Sequence, residues 1–472
     1  MTLRCSLSTS VGLVIVLLTL SVALGDDNDA GKLSSELREQ SIVGCMTTTC
    51  HGSNVQAAER WQRAAKIWFD QDPHAQAYTV LLNETSARIV SQLINEELTA
   101  SSQKYLDILE TKCVSCHASE SAPRSQRVLG ADCQVCHGSA DAWGSEHYSS
   151  EWKARGRSRF DDSKKLDVES LVSRAQVCSS CHVGELNRKG SNQEDRFDRE
   201  VDHKLIAAGH PPMYFDFESY SRRYPLHWDT KDEEVGKGAS IGFERWRIGK
   251  ITSAITRLKL LAARAERAMD QSTSPHDWPE LTEYNCTSCH HALVQPSWRQ
   301  TRGANAIADW DDWSVSQLDS AIRDQSAGEV MAQINSLKSL IEATAPKPNE
   351  VAIKAASFRR WLEIELDHVS STKENSLVGI LPKLQSQAEN AARFRSWESA
   401  TQWYIATRVL AEGLGMESSP DPVPLLFEDP FSGSNKTWKS FGTKDFNETS
   451  RFHPDMLDNY HSELVRQLRK RP

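Results

Sequence analysis

Two copies of the pattern Cys-x-x-Cys-His stand almost back to back, Cys113-Val-Ser-Cys116-His117 and Cys133-Gln-Val-Cys136-His137, with only residues 118–132 between them. In such a pentapeptide the two thiols add to the vinyl groups of one haem, and the following histidine binds its iron from the proximal side. Spacing therefore fixes three bonds at once. Two further copies occur, Cys178-Ser-Ser-Cys181-His182 and Cys286-Thr-Ser-Cys289-His290. With 11 Cys and 15 His in 472 residues, chance supplies one such pattern roughly once in a hundred chains. A looser candidate, Cys45-Met-Thr-Thr-Thr-Cys50-His51, has four residues between its cysteines. Together the motifs use ten of the eleven cysteines.

The expected cofactor is haem c, five per chain, with His51, His117, His137, His182 and His290 as proximal ligands. Structural zinc is the competing reading, since Cys-x-x-Cys pairs also build zinc knuckles. Zinc does not require a histidine directly after every second cysteine. For Cys45 and Cys50 a disulfide or free thiols compete as well.

Composition narrows the class further. The chain is 39% hydrophobic and 25% charged, ordinary for a soluble globular protein of two or three domains. A formal net charge of −9 argues against a nucleic-acid surface, and no phosphate loop or serine-nucleophile elbow is evident. Residues 1–25 carry one arginine, Arg4, and an apolar run from Val11 to Leu24 ahead of Ala23-Leu24-Gly25, the pattern of a cleaved export signal. That run is short of the ~20 residues needed to span a bilayer. Export to the periplasm without a stable membrane span is expected, an uncleaved N-terminal anchor being the alternative. Cys5 leaves with the signal, and none of the remaining cysteines is spare for a bridge.

Helical spacing runs over residues 54–70, through Trp61, Ala64, Ala65 and Trp68, and again from Ala75 to about Leu109. Between the two lies Asp72-Pro73-His74, where a proline at a helix start holds the imidazole at an angle suited to a distal haem ligand. His147 lies ten residues beyond His137, within reach of a neighbouring haem. The apolar stretch 201–212 carries His203 and His210, nearly two helical turns apart, read as ligands to two different irons. Residues 243–269 form a long amphipathic helix whose Arg257, Lys259, Arg264 and Arg267 either pair with propionates or are solvated. Beyond residue 300 no cysteine occurs. Capping boxes are expected at Ser314/Gln317 and Ser326/Glu329, helices at 351–366, 396–414 and 454–468, and a wrapping loop over 417–447.

Cys50-His51-Gly52, Asp72-Pro73-His74, Cys136-His137-Gly138 followed by His147, and Asp202-His203 through Gly209-His210-Pro211 occur in the order found in multihaem cytochromes of the cytochrome c554 type. Over residues 43–300 the chain resembles that family, which is related to the hydroxylamine oxidoreductase haem proteins. The resemblance implies a mainly α fold, a core of helices and loops around closely packed haems at 26–300, followed here by a helical region at 301–472. It implies periplasmic electron transfer between redox proteins, often beside nitrogen-compound oxidation, with His74, His147, His203 and His210 as distal ligands. Three departures stand out: five candidate sites instead of four, a stretched first motif, and a C-terminal third without a counterpart.

Five irons need five distal ligands, and these four leave one wanting. His291, on an iron other than that of His290, is one candidate for the fifth; His227, His276 and Met213 are others. If none serves, one iron is open to a small nitrogen compound such as nitric oxide or hydroxylamine. The ligand count therefore separates an electron carrier, the favoured reading, from a redox enzyme.

Overall fold

The structure is a computed structural model, and it describes residues 45–119, 122, 124–140, 143–156, 166–186, 198–228, 240–270, 278–290, 308–371 and 397–413. The expected export signal, His276, His291, the 417–447 loop and the 454–468 helix lie outside them. The architecture is mainly α, as expected. Its longer helices are α1 (Ala64–Gln71), α2 (Glu84–Ile94), α3 (Gln103–Lys112), α4 (Leu171–His182), α5 (Phe217–Arg223), α6 (Ser240–Met269), α7 (Ala327–Ile341), α8 (Pro348–Ser371) and α9 (Trp397–Gly413). Among the described residues no strand forms. Glu185 with Arg199 and Tyr284 with Trp310 make isolated antiparallel bridges.

The N-terminal helices are shorter than hydrophobic spacing suggests. Helix enters the expected 54–70 stretch only at Arg60, as a 3-10 turn leading into α1. The single helix expected from Ala75 to Leu109 is broken. Asn83 accepts from Ser86 N (2.9 Å) to start α2, Asn95 ends it in the left-handed region at φ 53°, and Ser102 caps α3. Each cap satisfies backbone groups that a continuous helix would satisfy internally, and apolar periodicity carries no trace of them. Tyr78, Leu81, Val90, Tyr105, Leu109 and Val114 close a small core under these elements. Val114 sits inside the Cys113 motif, so this core anchors it.

The larger core is built on α6. Ile248, Ile251, Leu258, Ala262 and Ala265 recur every three or four residues and are buried, chiefly against α8, whose Val351, Ala355, Phe358, Leu362 and Leu366 share the same spacing. Each fully buried Leu or Phe contributes about 1.5–3 kcal/mol. The same core takes Ala175 of α4, Val330, Leu337 and Ile341 of α7, and Trp403 to Leu410 of α9, so it draws on both sides of residue 300. No helix among the described residues is long and apolar enough to cross a membrane.

Local details around α6 differ from the sequence expectation. Its cations are matched by protein acids rather than solvated. Arg257 pairs with Glu283 and Asp311, Lys259 with Glu185, Arg264 with Glu200 and Glu283, and Arg267 with Asp198 and Glu200. Neither expected capping box forms: Gln317 is itself the left-handed residue before a short turn, and Ser326 Oγ donates instead to Glu365 Oε1 at 3.0 Å. Pro348 opens α8, where its missing N–H is not needed.

Gly249 of α6 is where α5 comes closest. A Cβ there would fall 2.3 Å from Phe217 Cβ. Because Phe217 Cβ cannot rotate away, Gly249→Ala falls at the upper end of the about 1–3 kcal/mol cost of overpacking, outweighing a helix-propensity gain of about 1 kcal/mol. A lower urea midpoint is expected. An unchanged midpoint would mean α5 is not fixed against α6.

Candidate haem-binding centre

Each tight motif occupies one helical turn. Val114–His117 follows Cys113, Cys133–His137 follows its cap Asp132, Cys178 to His182 ends α4, and Cys286–Cys289 precedes His290. Residues three and four apart share a helix face, so both thiols and the imidazole meet on one side. In the last motif His290 N donates to Cys286 O at 2.8 Å, and in the first tight motif His117 N donates to Cys113 O at 3.1 Å. The stretched motif recovers the same bond, His51 N to Cys45 O at 3.2 Å, with its extra residues looped out. Gly52 permits this, since a Cβ there would lie 1.9 Å from Met46 O. None of the ten cysteines is in a disulfide.

Most of the motif thiols are held protonated, the exception being Cys181, which the hydrogen bond with Cys116 lowers to about 6. Burial pushes Cys113 up to about 11 and Cys133 and Cys178 up to about 12. Among the described residues no three His, Cys, Asp or Glu side chains converge on one point as a tetrahedral zinc site requires.

The histidines carry the ligand chemistry. Nδ1 of His51 donates to Trp61 O (2.9 Å), of His117 to Ala77 O (2.7 Å), of His147 to Gly144 O (2.7 Å) and of His210 to Pro211 O (2.8 Å). His74 Nδ1 donates to Asp72 Oδ1 (2.8 Å). With Nδ1 protonated and occupied, Nε2 is the nitrogen available to iron, the usual outer-shell arrangement of a metal-binding histidine. Burial lowers the pKa of His117 and His227, and takes His182 and His210 to about 4, which keeps these rings neutral as ligation requires.

The rings also fall into pairs. Centroids of His51 and His147 lie 6.2 Å apart, those of His203 and His290 6.2 Å, those of His137 and His227 6.2 Å, and those of His74 and His182 6.0 Å. Two metal–nitrogen bonds of about 2 Å, with roughly 1 Å from each nitrogen to its ring centre, put imidazoles on opposite sides of one iron about 6 Å apart. Four motifs thus have a second histidine at ligation distance. For the remaining one, His210 stands close enough to His117 for its charge to add to the burial that lowers His210. The four distal candidates are all brought to a motif, and His227, one of the alternatives for the fifth, is brought to His137. Its tilted neighbour Tyr224 and edge-on neighbour Trp228 hold it there.

Charge and hydrogen-bond coupling between thiols sets several motifs near one another. Cys45 raises the pKa of Cys133, Cys178 and Cys181 raise that of Cys136, and Cys181 is hydrogen-bonded to Cys116, in each case beside burial. His203 and His210, eight positions of one short segment, join the Cys113 motif to the Cys286 motif. The sequence reading missed Tyr214, whose hydroxyl lies 3.5 Å from Cys286 Sγ and donates to Glu398 Oε1 of α9 at 3.3 Å. Burial, with Asp311 and Asp312, pushes Glu398 up to about 8. No local pattern distinguishes this tyrosine.

Residues 132–202 match the family model described as cytochrome c554 and c-prime. That span holds the Cys133 and Cys178 motifs and His147, and stops one residue short of His203. Comparison with curated proteins and with solved structures gives no match. Over residues 132–202 the chain is similar to the cytochrome c554 and c-prime family, and the Cys-x-x-Cys-His turns are the part of the structure that carries the likeness.

Proposed function

We propose that the chain is a periplasmic electron carrier holding five haems c, each iron bound by two histidines: His51 with His147, His117 with His210, His137 with His227, His182 with His74, and His290 with His203. Ring separations of 6.0–6.2 Å in four of these five pairs are the observation that carries this reading. The leader-like residues 1–25 support export. Haem iron supplies one-electron chemistry between its ferric and ferrous states. The residues around it hold position: carbonyl-bonded Nδ1 atoms fix the rings, so little rearranges when charge changes. Two imidazoles per iron also exclude a substrate, and His227 fills the place that an open iron would otherwise have. The motif order Cys45, Cys133, Cys178, Cys113, Cys286 forms a relay with other redox proteins as donor and acceptor.

A pyridine haemochrome assay on the purified protein is expected to give five haems per chain, with a ferric spectrum wholly low-spin and unaltered by nitric oxide or hydroxylamine. Fewer than four haems would sink the haem reading. A high-spin haem that answers nitric oxide would make the protein an enzyme with one open iron.

A further inference from the structure

Four of the Nδ1-bonded histidines donate to backbone carbonyls. His74 alone donates to a carboxylate, Asp72 Oδ1, and the same oxygen accepts His74 N–H at 2.9 Å. Asp72 caps the turn Pro73–Gln76, but a cap needs only an acceptor, which Asn or Ser supplies equally well. The carboxylate is 1% exposed, and its one ion-pair partner among the described residues is His74 itself. Burying a carboxylate without a lysine or arginine is costly, so the cap leaves the charge unexplained.

The same charge reaches both central motifs. Through the His74 ring, 6.0 Å from that of His182, it stands beside the Cys178 motif. It also acts on His227 and on Tyr224, whose ring lies 6.1 Å from that of His74 and 5.9 Å from that of His227.

We infer that Asp72 sets the reduction potentials at the middle of the relay, lowering most strongly that of the haem attached at Cys178 and Cys181 and less strongly that at Cys133 and Cys136. An imidazole donating to a carboxylate is a stronger electron donor, and a buried negative charge favours ferric over ferrous iron. The couple takes one electron, delivered or removed by a redox partner, and Asp72 keeps its charge throughout. Asp72 is thus a positioning residue acting through His74, and the inference rests on the proposed ligation of one iron by His74 and His182.

The test uses the full haem-loaded chain. In Asp72→Asn, which keeps the cap acceptor and loses the charge, mediated potentiometric titration followed by optical spectra is expected to show one midpoint moved clearly positive, a second moved less, the others unmoved, and all haems low-spin. Asp72→Ser, a second uncharged cap, should do the same. His74→Ala is the separate check on ligation and should turn one haem high-spin. If His74→Ala does so while both Asp72 variants leave every midpoint unmoved, Asp72 is only a cap. Loss of haem from both Asp72 variants would equally overturn the inference. If His74→Ala leaves every haem low-spin, the ligation proposal itself fails.

Discussion

Replacing His227 by Ala is expected to convert one haem of the chain from low-spin to high-spin and to let it bind nitric oxide or carbon monoxide, with the other haems unchanged. The ring of His227 lies 6.2 Å from that of His137, and Tyr224 and Trp228 fix it from two sides. In the proposed ligation, truncation removes the ring that faces His137 across the iron. The change is all-or-none for that iron, and absorption and paramagnetic resonance spectra read it directly. Met213→Ala and His276→Ala, which remove the other sequence candidates, should leave the spectra as they are. A low-spin His227→Ala protein would remove His227 from the ligand set.

Breaking the ion pairs of Glu283 should have the largest effect on stability. Glu283 is fully buried between Arg264 and Arg257, the latter at 3.1 Å from its Oε2. Burial would depress the pKa of Arg264, but the charges of Glu283 and Glu200 more than offset this and hold it protonated. Removing one member of such a network leaves a buried charge uncompensated, at about 3–5 kcal/mol. Glu200 on Arg264 and Asp311 on Arg257 retain part of the compensation, so Glu283→Gln belongs near about 3 kcal/mol. Its carbonyl also accepts from Asp311 N at 2.7 Å, in the turn leading to Cys286. Urea denaturation followed by helix signal should show the loss, while Glu350→Gln in the exposed Lys347–Glu350 pair leaves the curve in place. Equal curves for the two variants would mean that the α6 pairs do not hold this region.

The haem attachment was legible because its signal is covalent and local: five positions fix both thiols and the imidazole, and even the stretched Cys45–His51 loop returns to the same backbone bond. His74 was named from the proline before it and His203 from its place in the apolar stretch 201–212, whereas their caps, Asp72 and Asp202, emerge only in the structure. His227 could be named only as one of several, because the information that selects it is its distance from His137, which no local period encodes. The charged side of α6 was visible as a stripe, yet its burial depends on Glu283, Glu200 and Asp198, which arrive from loops far along the chain. For the same reason a continuous helix was read where Asn95 turns left-handed and Ser102 starts afresh.

The histidine pairs also bear on how the chain holds together. In the proposed ligation, iron joins 51 to 147, 74 to 182, 117 to 210, 137 to 227 and 203 to 290, and each of these spans overlaps the next. A crosslink closing a loop of roughly a hundred residues removes about 4–5 kcal/mol of unfolded-state entropy. Exported proteins often draw such constraint from disulfides, and here every described cysteine lies in a motif. With that ligation, metal coordination would take over the bridging role, and loading the cofactor and completing the N-terminal fold would become one event.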